Sequence, residues 1–81
     1  MKLPIIRNIL DNNTNVEIES TLNVLENLID ARGLKEEDLD TIGEVLSNLE
    51  GALEVGKLID EGSTQKDALN SFMKRVISVG K

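Results

Sequence analysis

Between Asn15 and Arg32 the apolar residues Ile18, Leu22, Leu25, Leu28 and Ile29 recur at helical spacing, with Glu19, Asn23, Glu26 and Asp30 on the opposite side. A stripe of that period suits an amphipathic helix, and the pattern predicts one over residues 15–32. Gly33 follows as a natural C′ residue, free to take a positive φ. Upstream, Pro4 fits the first turn of a short helix in which Ile5, Ile6, Ile9 and Leu10 share a face. The run Asn12-Asn13-Thr14-Asn15 ends that helix, because its side chains compete for backbone hydrogen bonds, and supplies the next N-cap. Downstream, Glu36, Glu37 and Asp38 place three acids where they favour the positive end of a helix dipole. Leu39, Ile42, Leu46, Leu49 and Leu53 then follow in steps of three and four, flanked by Val45, Ala52 and Ile59, so a third helix is predicted from about residue 36 to 61. Gly62 caps it. Ser63 or Thr64 opens a fourth helix, with Asp67 in a capping-box-like position and an apolar stripe of Ala68, Leu69, Phe72, Met73, Val76 and Ile77.

The third helix is the anomaly. At roughly 39 Å it outruns the second, at roughly 27 Å, so one partner cannot cover it. Helices one and four could cover the remainder, the helix could bend near Gly51 or Gly56, or a second subunit could pack on it. Ala52 and Gly56 form a small-xxx-small pair on the main face that permits close approach of a neighbouring backbone. Gly51, Val55 and Leu58 mark a second, weaker apolar face on another side. These three residues are the candidate interaction face, expected to meet either helix four or a second protomer.

Composition narrows the picture. A chain of 81 residues supports one core, so residues 1–81 are expected to form a single helical domain. Leu, Ile and Val supply almost all the apolar content, and Phe72 is the sole aromatic residue. With no cysteine and no histidine, stability must come from helix packing or self-association rather than from a disulfide or a metal staple. The fold expected is all-α, a compact bundle of about four helices (short, long, long, medium), with a dimer as an open alternative. Pro4, Arg7 and Asn8 interrupt the N-terminal apolar run, and no segment approaches a membrane span, which points to a soluble cytoplasmic protein without a membrane partner.

Charge is unevenly spread. The formal net charge is −6; residues 34–62 hold nine acids and two bases, whereas residues 63–81 hold one acid and four bases. The acidic third helix and basic fourth are expected to complement each other, with Lys66, Lys74 or Arg75 near the acidic flank.

Candidate chemistry is sparse. Without Cys or His only carboxylates remain for a metal, and Asp38, Asp40 and Glu44 near a helix start read as a solvated acidic face. Glu17, Glu50 and Glu54 sit in plain amphipathic patterns, the serines lack a histidine base, and the Gly33 and Gly62 turns lack the glycine density and lysine of a phosphate loop. No catalytic residue, metal ligand or cofactor is assigned, and no enzyme activity is expected. A dense small-aliphatic pattern argues for a filled core rather than a small-molecule pocket. Residues 58–68 have a helix, glycine turn, helix rhythm, and Gln65, Lys66 and Asn70 could form a recognition helix. The net charge opposes nucleic-acid binding.

The Lys2-Leu3-Pro4 opening, the Ala31-Arg32-Gly33 turn, the Glu54-Val55-Gly56-Lys57 segment and Glu61-Gly62 followed by Asp67-Ala68-Leu69 resemble a family of short uncharacterised bacterial proteins over nearly the whole chain. These motifs are helix boundaries and small residues, so the resemblance transfers no catalytic or binding residue. It implies relatives encoded near thioredoxin-type and peroxide-reducing proteins, and hence an accessory role in redox physiology. Lacking cysteine, this chain could act there only by binding. The function expected is a non-enzymatic interaction protein, self-associating and binding a protein partner. The alternative is a small helix-turn-helix-like transcriptional or phage-type regulator.

Overall fold

A computed structural model describes the backbone of residues 2–79 and the side chains of residues 2–75. Val76 and Ile77, expected on the stripe of the last helix, lie outside the described side chains. The described residues form four helices: α1 (Leu3–Asn12), α2 (Asn15–Leu28), α3 (Glu36–Asp60) and α4 (Gln65–Val79).

Their ends follow from local chemistry. Pro4 falls in the first turn of α1, and at its other end the Asn12 and Asn13 side-chain amides donate back to the carbonyls of Asn8 (2.8 Å) and Ile9 (3.0 Å). The bond to Ile9 satisfies an acceptor of the kind a helix C-terminus leaves open. Thr14 starts α2 with a full capping box: its hydroxyl accepts from the Glu17 N–H at 3.2 Å, and its own N–H donates to the Glu17 carboxylate at 2.8 Å.

The end of α2 corrects the sequence expectation, since the helix stops at Leu28 rather than Arg32. Asp30 and Ala31 donate to carbonyls three residues back, Asn27 and Leu28, which tightens the last turn. Only the small, exposed Ala31 follows Ile29 before Leu34, too little to hold another turn against α3, and Gly33 takes φ +91° in the connecting loop. At the start of α3 the Asp38 carboxylate accepts the Lys35 N–H at 3.0 Å. Its far end is a Schellman motif: Gly62, at φ +114°, donates to Ile59, and Ser63 donates to Leu58. Thr64 then caps α4 by accepting from the Asp67 N–H at 3.1 Å.

α3 runs unbroken for 25 residues and is the hub on which α1, α2 and α4 each pack; those three scarcely touch one another. One core results, centred on Ile6, Ile18, Leu22, Leu46, Leu49, Ala52, Val55, Ala68, Leu69 and Phe72. Ala52 is fully buried and Gly56 is buried beside it. A Cβ on Gly56 would overlap the Asn15 side-chain amide, so the glycine is what leaves room for that amide over the end of α3. There Asn15 Nδ2 donates to Asp60 Oδ2 at 2.8 Å, fixing the pair as antiparallel. The molecule is flat, with principal extents of 42 × 31 × 17 Å.

Candidate interaction groove

Because α1 and α2 both lean on α3 and not on each other, a groove of about 390 Å³ opens between them. Ile5 and Ile9 form the α1 wall, Thr21 and Leu25 the α2 wall, and Thr41, Val45 and Leu49 the floor, with Glu44 and Asn48 alongside. Ile5 is here because it points about 100° round the helix from Ile6, which puts it at the edge of the buried stripe. Ile6 is fully buried, and Ile5 is turned out at 42% exposure. The expectation that both lie on one face is corrected accordingly.

Asn48 anchors the groove's edge. It is the one polar side chain found in the buried set of the described residues, with its Oδ1 accepting the Lys2 N–H at 2.9 Å and its Nδ2 donating to the Glu44 carbonyl at 3.0 Å. It ties the start of α1 to the middle of α3, and sequence reasoning gave it no role. Asparagine inside an apolar stripe was the available signal, since a buried polar group needs partners.

The groove continues into a thinly covered seam, in which Leu25 and Ile42 are partly buried against the core. No residue from Asn23 to Val45 is buried, although that stretch carries Val24, Leu25, Leu28, Ile29, Leu34, Leu39, Ile42 and Val45. α3 extends roughly 16 Å beyond what α2 can match at 1.5 Å per residue. All of its buried residues lie from Leu46 onward. On α2, Val24 and Leu28 sit three residues beyond Thr21 and Leu25 respectively, forming a shoulder beside the groove at 66% and 40% exposure.

The face expected from sequence, Gly51, Val55 and Leu58, lies elsewhere. Gly51 is buried, Val55 has no exposed surface, and Leu58 is half-buried against the core. A small cleft of about 200 Å³ joins Leu58 to Ser71 and Phe72 of α4, so of the two occupants left open it is helix four that lies over this face within the chain. Val55 therefore offers no area to a second chain. Arg75 of the same helix pairs with Glu54, as the charge layout anticipated for the α3 flank. The guanidinium side chain is well exposed, and such a pair adds little stability.

A second concavity, about 440 Å³, lies where the α1–α2 turn meets the end of α3 and the start of α4. Its polar groups are already engaged: Asn15 with Asp60, and Gln65 Nε2 with Asp11 Oδ1 at 3.1 Å. Beside it the capping box holds the Glu17 carboxyl below its ordinary value, chiefly through the Thr14 N–H and secondarily through the Thr14 hydroxyl. The Asp38, Asp40 and Glu44 carboxylates do not converge. Among the described residues no group of three or more carboxylates is placed to hold a metal ion, and no helix is long and apolar enough to cross a membrane.

Fold and groove together define a small all-α bundle organised on one long central helix, with an apolar seam open on one side. The chain belongs to DUF6952, a family of unknown function, whose model matches residues 1–79 and so takes in all four helices and the whole of the groove. No curated protein and no solved structure matches it.

Proposed function

We propose that this is a non-enzymatic interaction protein that works by seating another protein chain in the groove between α1, α2 and α3. One observation carries the reading: between Asn23 and Val45 the aliphatics Leu25 and Ile42 pack on the core, while Val24, Leu28, Ile29, Leu39 and Val45 stay exposed. Several water-facing aliphatics in one hairpin mark a binding surface more often than scattered single exposures do, and a groove between helices is a common seat for a partner helix. The groove's polar contribution is small, and Asn48, its most buried polar group, is already satisfied within the chain.

The regulator reading asks the start of α4 to enter a DNA groove. Gln65 is engaged with Asp11, and although Lys66 and Asn70 stand exposed on a basic helix, the chain as a whole carries a net charge of −6, which opposes phosphate contact. With no cysteine, any part in redox physiology runs through the bound partner and not through thiol exchange.

A photo-crosslinking test addresses the reading directly. A benzophenone amino acid placed at Val24 in the native host is expected to give one or a few discrete protein adducts, and the same group placed at exposed Glu50 is expected to give none. Absence of a discrete adduct from Val24 would remove the proposal.

A further inference from the structure

The occupant of that groove can be named, and naming it rests on the interaction reading above. We infer that it is the α2 shoulder of a second copy of this chain, in a two-fold pair.

Knob and hole lie side by side on one surface. Val24 and Leu28 project next to a groove floored by Val45 and Leu49 and walled by Ile5. A two-fold operation brings each shoulder to the other copy's groove, because in an isologous contact the same patch supplies both halves. A lone partner helix lying in the groove would cover Val45 and Ile5 but leave the shoulder in water. The symmetric pair covers both.

Area supports the same occupant. Ile5, Val24, Leu28 and Val45, continued at the tip of the α2–α3 hairpin by Ile29 and Leu39, are each about two-fifths exposed or more. Together they present on the order of 500 Å² per chain, so a pair that covers all six removes on the order of 1,000 Å² from water, the lower bound for a specific interface. The chain also lacks the disulfide or histidine metal site that small domains often use as a staple, and pairing supplies one. The patch centre is free of charge, with Thr21 and Thr41 between the aliphatics. Glu44 lines one side of the groove.

Sedimentation of the full chain from low-micromolar to near-millimolar concentration tests the pairing. The expected result is a reversible monomer–dimer equilibrium that Val24→Glu and Val45→Glu each weaken by about tenfold or more, as for a charge buried at an apolar contact. Both positions are exposed in the single chain, so helical circular dichroism should be unchanged in the variants. Val16→Glu, at a residue 75% exposed beside the other concavity, is the control and should leave the equilibrium as in the wild type. A monomer throughout the range, a dimer indifferent to both groove variants, or equal weakening by Val16→Glu would overturn the inference. The Val24 adduct separates the two levels: a mass of two chains supports the pair, an adduct with a different protein sinks the pair and keeps the interaction reading, and no adduct sinks both.

Discussion

Single residues decide how closely the helices approach, and two glycines of α3 make the point by contrast. A Cβ at Gly43 meets nothing within 4 Å, whereas a Cβ at Gly56 overlaps the Asn15 amide. Gly43→Ala should therefore raise stability by about 0.5–1 kcal/mol, the usual gain for replacing an unconstrained helical glycine. Gly56→Ala has the same backbone gain but must displace Asn15 and break its bond to Asp60. Urea unfolding should rank Gly43→Ala above wild type and Gly56→Ala clearly below Gly43→Ala. Equal gains at the two sites would mean that Asn15 is not held where the structure puts it. The small-xxx-small pairing of Ala52 and Gly56 was legible in the sequence, but the side chain that uses the space was not. Asn15 reaches Gly56 only because α2 folds back antiparallel, a long-range fact that no local pattern encodes. Ile5 failed for a related reason: an apolar run of two names a helix, and only the neighbours decide which isoleucine goes in.

At the scale of elements, boundaries written in capping chemistry were legible, and those set by tertiary contact were not. Thr14, Gly62 and Thr64 act where the sequence placed them, because each satisfies backbone groups within a few residues of itself. The last turn of α2 was misjudged because its fate depends on whether α3 offers anything to pack against beyond Ile29. The sequence leaves two occupants open for the Gly51, Val55 and Leu58 face for the same reason. Val55 and Leu58 are a second apolar stripe, and whether α4 or another chain covers such a stripe depends on where α4 docks. The α2 capping box gives a pH prediction. Its hydrogen bonds place the folded carboxyl of Glu17 below the unfolded one, so its stabilisation is present above the ordinary glutamate value and is lost as pH falls through the lowered folded value. Glu17→Gln should thus be less thermostable than wild type near neutrality, with the gap closing in acid below the ordinary carboxylate range. A gap independent of pH would assign the effect to something other than the ionised carboxylate.

The whole molecule combines a flat shape, an acidic character and an open seam, and these make a joint prediction about solution conditions. A shape 17 Å thin around a single long helix cannot hide that helix's full length with one short, one medium and one 14-residue partner. If a second copy completes the cover, folding and pairing are linked, and the melting temperature should rise with protein concentration. Ionic strength then discriminates the occupant. Two copies each of net charge −6 repel, and Glu44 at the groove's side adds to the repulsion at the contact. Added sodium chloride screens exposed charges beyond about 8–10 Å at physiological strength, so the pair should tighten as salt is raised from low levels. A cationic helix drawn to the same groove would instead bind more weakly under that change, because its attraction is what the salt removes. Sedimentation equilibrium at low and at near-molar salt reads the sign directly. Tightening fits a surface whose centre is aliphatic and whose charges only oppose closure, and loosening would identify charge attraction at the groove as the force that holds the complex.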